Sequence, residues 1–330
     1  MEATNTKAKE QIEKEFKELK LSLPKAAWFE NSAMVLYKSF WCPQYFLKGA
    51  ITFQNYFEAQ DGDIILASLP RTGTTWLKSL LYTIINRDNF SSQFSQHPFH
   101  TKNPHDLVLY LEGLDLSTII VGNQPLPRLF ATHLPYLSLS DSIKTSQCRI
   151  VYVCRNPLDT FVSLWHFYLQ FERNKDIHPN MELMEEYIGK YCKGESPFGP
   201  YEDHLLGYWE ESNRNPQKVL FLEYEGLKKE PKAHLKSLAD FVGCPFSEEE
   251  EKQNVIDEII KLCSLKSLKE MEVNKNGNFS PMVENKTFFR KGEVGDWTTH
   301  FTPSMAKQFH QMLRKLNKAG FSFTYYRMNL

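Results

Sequence analysis

No two of the six cysteines form a CxxC pair. They stand at 42, 148, 154, 192, 244 and 263, and none joins histidine at a zinc-binding spacing. Scattered single thiols in a chain of 330 residues point to reduced cysteine and a cytoplasmic setting, not to a disulfide scaffold. Charge of one sign is also missing: 39 basic residues face 40 acidic ones, a formal net charge of −1. A protein that coats nucleic acid is thereby disfavoured, and any anion site must be built locally. No stretch approaches the roughly 20 apolar residues of a membrane span. The N-terminus, MEATNTKAKEQIEKEFKELK, is charged throughout and lacks the apolar centre of a signal peptide. There are no internal repeats and no low-complexity linker at which to divide the chain, so residues 1–330 are expected to form one domain.

Apolar material is plentiful. Hydrophobic residues make up 42% of the chain, including 24 Phe, 15 Tyr and 6 Trp, enough to bury a large core and exclude disorder as the main state. Residues 7–21 predict a charged helix with Ile12, Phe16 and Leu19 on one face. The aromatic stretch 24–60 reads either as core packing or as the wall of a pocket for a flat apolar ligand. Strands are predicted at 64–69, within 129–139 ending before Pro135, at 148–155 and at 218–225. Helices are predicted at 76–86, 157–171, 181–192, 201–213, 231–242, 247–262 and 303–318. Asn156 suits an N-cap, Pro157 the first helical position and Asp159 the third. Residues 273–302, rich in Asn and Gly and without periodicity, read as a long loop. Strands alternating with helices argue for a parallel sheet covered on both faces.

The chemistry concentrates in a few places. Between the 64–69 strand and the next helix lies PRTGTTW. Gly73 lets backbone approach a ligand, Thr72, Thr74 and Thr75 supply hydroxyls, helix-start amides point at one spot, and Arg71 adds charge: an anion cradle. It is not a Walker A loop, which reads GxxxxGK[ST]. Arg155 ends a strand, where parallel sheets bind ligands, and Ser163 lies two turns into the following helix. Arg290, Lys291 and Gly292 form a third basic spot, and His133 follows a short strand where a neutral imidazole could take a proton. Taken singly each has an ordinary reading: a helix-capping turn, a surface ion pair, solvated loop charge, a structural histidine. Together they suit one highly charged ligand, such as a nucleotide with phosphate at both ends of its ribose.

In order and separation, PRTGTTW, ATHLPY (131–136), CRNPLDTFVS (154–163) and FFRKGEVGDW (288–297) resemble the cytosolic sulfotransferases. NPHDLV (103–108), ATHLPY and MEVNKNG (271–277) resemble the plant branch, which includes flavonol and brassinosteroid sulfotransferases. The resemblance spans about residues 45–320. It implies an α/β, P-loop-kinase-like three-layer fold with a central parallel sheet flanked by helices. It implies 3′-phosphoadenylyl sulfate (PAPS) as co-substrate, and sulfuryl transfer to a hydroxyl of a small, largely apolar acceptor such as a flavonoid or steroid. It places the 5′-phosphosulfate on Arg71, Thr72, Gly73, Thr74, Thr75 and Trp76, with Trp76 also against adenine. Arg155 and Ser163 would take the 3′-phosphate, Tyr224 and the segment Cys263-Ser264-Leu265 the adenine side. Arg290, Lys291 and Gly292, in the 273–302 loop, would close over the 3′-phosphate, and His133 would be the base. No metal, nucleic acid or membrane partner is implied.

Two departures stand out. Arg71 occupies a position where the family normally has Lys. Arginine stays protonated, so its charge is kept while proton donation to the leaving group is in question. The stretch THFTPSMAK (299–307) departs from the dimer segment of animal members, which favours a monomer. Two rivals follow: a nucleotide-binding homologue with weak or no turnover because of Arg71, and a small-molecule kinase, against which the missing Walker Lys-Ser/Thr pair speaks.

Overall fold

A computed structural model of the chain describes residues 2–29, 32–90, 96–116, 127–170, 180–281 and 283–325, without the side chains of 2–6. Four strands form the main sheet: β4 (Ile64–Ser68), β5 (Leu129–Thr132), β6 (Arg149–Cys154) and β7 (Val219–Glu223), in the order β5-β4-β6-β7. All neighbours are parallel, with Ile64 opposite Leu129 and Arg149, and Ile150 opposite Val219. Three further strands, β1 (Lys25–Ala27), β2 (Ala33–Tyr37) and β3 (Phe40–Pro43), make a separate antiparallel sheet.

Side-chain alternation along the parallel strands explains the layers. Ile65, Ala67, Ile150, Tyr152 and Cys154 face one apolar cluster, which includes helix α2 (Gln44–Tyr56) and the helices Pro157–Leu169, Met181–Cys192 and Tyr201–Arg214. Ile64, Leu66, Val151 and Val153 face the other, with helix α3 (Thr74–Asn86) and the helices Pro231–Phe241 and Val255–Leu262. A strand buried on both faces must be apolar at consecutive positions, as β4 and β6 are. The expected three-layer α/β fold is therefore present.

Helix α1 (Glu2–Ser22) has Ile12 buried and Phe16 and Leu19 packed against the core. In the aromatic stretch, Trp28, Phe29, Phe40, Phe53 and Phe57 are buried in the core. Asn156 caps the 157–169 helix by accepting from the Asp159 amide at 2.9 Å, as its sequence predicts.

Three elements differ from expectation. The 247–262 helix is split into Glu248–Lys252 and Val255–Leu262 at Asn254, whose φ of 58° is left-handed, a region asparagine tolerates better than most residues. The 303–318 helix is divided at Phe309. The 273–302 region is not all loop. It holds a one-turn helix (Glu272–Asn276), a small hairpin of β8 (Asn278–Ser280) and β9 (Val283–Glu284), and 3-10 turns at Asn285–Phe288 and Asp296–Thr299. Two of its asparagines, Asn274 and Asn285, are internal braces. Asn274 donates to the Leu268 carbonyl at 2.8 Å and accepts from Asn103 at 2.8 Å, while Asn285 donates to the Val273 carbonyl at 2.8 Å.

At the amino ends of the strands, Asp63 and Arg128 form a buried two-point ion pair, with Arg128 Nε 2.6 Å from Asp63 Oδ1. The same residues pin the register: Ile64 donates to the Arg128 carbonyl and Arg149 to that of Asp63, both at 2.9 Å. Removing one member leaves an uncompensated buried charge. Arg128→Ala is expected to destabilise the fold by about 3–5 kcal/mol, read as a lower urea midpoint; an unchanged midpoint would contradict this role.

Candidate active site

Because the four strands are parallel, their carboxyl ends lie along one edge. The segment 69–73 follows β4, His133 follows β5, Arg155 follows β6 and Tyr224 follows β7. Every site residue expected on these segments is thus delivered to one side of the sheet.

The turn after β4 is tightly braced. Thr72 is buried, and its hydroxyl donates to the carbonyls of Leu69 at 2.8 Å and Val153 at 3.2 Å, so it ties the turn to β6. Thr74 Oγ1 lies 2.7 Å from Ser68 Oγ, and Thr75 Oγ1 2.9 Å from His105 Nε2. Gly73 caps α3 with φ 118°, and a Cβ there would come within 2.8 Å of the Tyr224 ring. The turn therefore needs glycine for conformation and for space. The first amides of α3 are donors that helix geometry leaves for a ligand. Arg71 has φ 71°, an uncommon conformation for a non-glycine residue and one found at ligand-holding turns.

The expected cations meet. Arg71 Nε donates to Ser163 Oγ at 3.2 Å, and its guanidinium lies 4.7 Å from the Phe167 ring centroid. Burial and repulsion from Arg290 and Arg155 lower its pKa to about 10, so it stays charged at neutral pH. Arg155 is buried, donates to the Glu293 carbonyl at 2.5 Å and lies over the Tyr224 ring at 4.7 Å. Arg290 and Lys291 share Asp296, at 2.6 and 2.7 Å. Those two bonds hold the Asp296 carboxyl down at about 2 against burial, the largest opposing influence. The Nε groups of Arg155 and Arg290 are buried with no hydrogen-bond partner among the described residues.

Tyr224 is the hub. Its hydroxyl donates to the Gly292 carbonyl at 2.7 Å, its ring meets Trp76 edge-on at 5.6 Å, and Gly73 lies against it. A cavity of about 200 Å³ opens between Trp76, Tyr224, Leu227, Cys263, Leu265 and Phe289.

His133 stands directly after β5. Its Nδ1 is 2.6 Å from the Ser68 carbonyl, which can only accept, so the ring proton sits there and Nε2 keeps its lone pair. Burial pulls its pKa down to about 3, leaving the imidazole neutral. Tyr110 and Phe198 flank the ring at 4.7 and 5.3 Å, and Phe46 packs on Phe198 at 5.7 Å. Of the two readings of the aromatic stretch, core packing is present in Trp28, Phe29, Phe40, Phe53 and Phe57.

Sequence reasoning missed three positioning groups. Glu112 is buried and accepts from the His133 amide at 2.7 Å and from the Thr132 hydroxyl at 2.8 Å; burial raises its pKa to about 6. Asp159, assigned only a helix-start role, also accepts from the amides of Gly295 at 2.7 Å and Trp297 at 3.0 Å. The chain Thr75–His105–Lys78 lies behind the cradle. His105 belongs to NPHDLV, which was informative by resemblance while its chemistry went unread.

An anion cradle, three convergent cations and a neutral histidine lie together on the carboxyl edge of a parallel sheet, a candidate site for an anionic ligand. The comparisons name the class. The Sulfotransferase domain family matches residues 61–320. The chain is 41% identical over 314 residues to cytosolic sulfotransferase 13 of Arabidopsis thaliana, covering 95% of each protein. Among solved structures, it resembles an Arabidopsis thaliana protein provisionally designated a steroid sulphotransferase, at 36% identity and a TM-score of 0.70 over 92% of this chain and 93% of that one. It also resembles a mouse sulfotransferase complexed with PAP, at 27% identity and a TM-score of 0.64 over 85% and 94%. The protein belongs to the plant cytosolic sulfotransferase family, and it is a transferase of sulfuryl groups. The cytosolic naming of its relatives agrees with the expected cytoplasmic setting, and among the described residues no helix is long and apolar enough to cross a membrane.

Burial holds His97, His133, His166 and His204 at about 4, 3, 4 and 4, against an ordinary value of 6.5. Below pH 6.5 the unfolded chain binds more protons at these sites than the folded one, so their contribution is complete above that pH and is lost as pH falls. Glu112 and Glu225, raised by burial, work the other way, against these four histidines together with His105 and His300, which burial also lowers. The melting temperature is expected to decline steadily from pH 6.5 to 4; a rise over that interval would contradict the buried neutral histidines.

Proposed function

We propose that the chain transfers the sulfuryl group of PAPS to a hydroxyl of a small, largely apolar acceptor, with His133 as general base. The reading is carried by the buried, partnerless Nε donors of Arg155 and Arg290 beside Arg71, which call for an anion. Arg71 and the α3 amides take the 5′-phosphosulfate, together with Gly73, Thr74 and Thr75. Thr72 braces the cradle, and its hydroxyl is already committed. Arg155 and Ser163 take the 3′-phosphate, and Arg290, Lys291 and Gly292 close over it. The cavity beside Trp76 and Tyr224, to which Cys263, Ser264 and Leu265 contribute, suits a planar base. Residues 1–330 act as one domain, whose 273–302 segment covers the nucleotide.

In the reaction the acceptor oxygen attacks sulfur in line with the bridge to the 5′-phosphate. The bridging S–O bond breaks and its electron pair remains on phosphate. The acceptor's proton passes to the free Nε2 of His133. Negative charge grows on the departing oxygen, and the fixed charge of Arg71 stabilises it. Tyr110, Phe198 and Phe46 give the acceptor side an apolar lining. Glu112, the carboxylate bonded to the His133 amide, is committed to protein donors and does not offer itself to a cation, which favours an uncharged acceptor over a basic one.

Transfer of ³⁵S from labelled PAPS across a panel of hydroxylated flavonoids, steroids and phenols tests the reading. His133→Ala is expected to lower transfer by about 10²–10⁴-fold while thermal stabilisation by PAP persists. Transfer retained by that variant would remove His133 from the role, and PAP binding without transfer by the unaltered chain would favour a non-catalytic homologue.

Arg71→Lys separates charge from proton donation. It is expected to keep or raise turnover, since Lys supplies the same charge and can also release a proton. A loss beyond about tenfold, or 1.4 kcal/mol in barrier, would show that the site has adapted to the planar guanidinium.

A further inference from the structure

Lys78 lies on α3, two turns beyond Arg71, and is fully buried. It forms no ion pair among the described residues. Its Nζ is 2.7 Å from the Val108 carbonyl, 3.0 Å from His105 Nδ1 and 3.4 Å from the centre of the Tyr110 ring. A carbonyl oxygen, an imidazole lone pair and a π-face are three acceptors for three ammonium hydrogens. His105 is buried between this amine and the cradle. Its Nε2 lies 2.9 Å from Thr75 Oγ1, and the Phe288 ring packs on it at 4.1 Å. Burial first, and then Lys78, His133 and Arg71, hold the imidazole well below its ordinary pKa, so it is neutral and carries one ring proton.

These contacts have a direction. If the ammonium donates to Nδ1, the ring proton must be on Nε2, and Nε2 donates to Thr75 Oγ1. The hydroxyl then has its acceptor position filled and its own hydrogen free. We propose that Lys78 and His105 are positioning residues that fix the polarity of this chain, so that Thr75 presents its hydrogen, not its lone pair, to the 5′-phosphate. The inference rests on the functional reading above and deepens it, since it assigns the cradle a buried source of order remote from any ligand contact. A neutral Lys78 would leave the polarity unfixed: its lone pair could then accept from Nδ1, with the Thr75 hydrogen turned inward to Nε2 and an oxygen lone pair facing the anion. Burial draws the amine well below its ordinary value, while the carboxylates of Glu112 and Asp106 oppose that loss. No proton crosses the chain during the reaction; the network sets which end of a hydroxyl faces the phosphate.

Two nucleotides isolate the effect. PAP carries the 5′-phosphate, and adenosine 3′-monophosphate lacks it. Lys78→Met and His105→Phe are expected to weaken PAP binding by about tenfold and leave adenosine 3′-monophosphate unchanged. Thr75→Val should do the same, and adding Lys78→Met to it should cost nothing more. Equal weakening of both nucleotides, or additive losses in the double variant, would overturn the proposal. Should Lys78→Met not fold, ¹⁵N NMR of the unaltered chain decides: a proton on Nε2 of His105 supports the chain as drawn, and one on Nδ1 refutes it. Failure of the unaltered chain to bind either nucleotide would instead defeat the functional reading itself and this one with it.

Discussion

Like charges held close together inside a protein repel, and this site is arranged around that repulsion. Burial, and after it repulsion from Arg290 and Arg155, lowers the basicity of Arg71, while Asp296 and Asp159 are shared among several donors. The arrangement persists because each cation is attached to something rigid. Arg71 ends the turn after the central strand, Arg155 ends the next strand, and Arg290 belongs to a segment fastened elsewhere. An anion entering the space relieves the repulsion and satisfies guanidinium hydrogens that protein atoms leave unmatched.

In the other half of the site the histidines are kept uncharged. His133 gives its one proton to the Ser68 carbonyl, His204 donates through Nε2 to the His133 carbonyl, and burial keeps both uncharged. Neutrality on one side and concentrated positive charge on the other suit a reaction in which a proton leaves the acceptor while charge gathers on phosphate. The two halves share a boundary in Tyr110, whose ring flanks His133 and covers Lys78.

Much of this was legible in the chain, and the limits have physical causes. Helix and strand positions followed from periodicity and from Asn156-Pro157, because those signals are local. The grouping of Arg71, Arg155 and Arg290 could be expected only by supposing a shared ligand, since nothing local links residues so far apart. Asn274 and Asn285 misled, because a buried amide bracing a backbone carbonyl and a solvated one in a loop are the same letter. Lys78 and Glu112 passed unnoticed for a related reason: composition counts them as surface charge, and only the fold reveals what surrounds them. Asn254 shows how one left-handed residue divides a helix that periodicity alone would join.

Asp159 has a consequence for timing. A single carboxylate at the start of the 157–169 helix receives two amides from the segment carrying Arg290 and Lys291. That segment cannot lift without breaking both bonds together, so on the proposed reading departure of the spent nucleotide would have its own barrier, separate from bond-making at sulfur. Residence time and chemical speed can therefore be tuned independently, the first by residues 155–159 and the second at the opposite wall of the cleft.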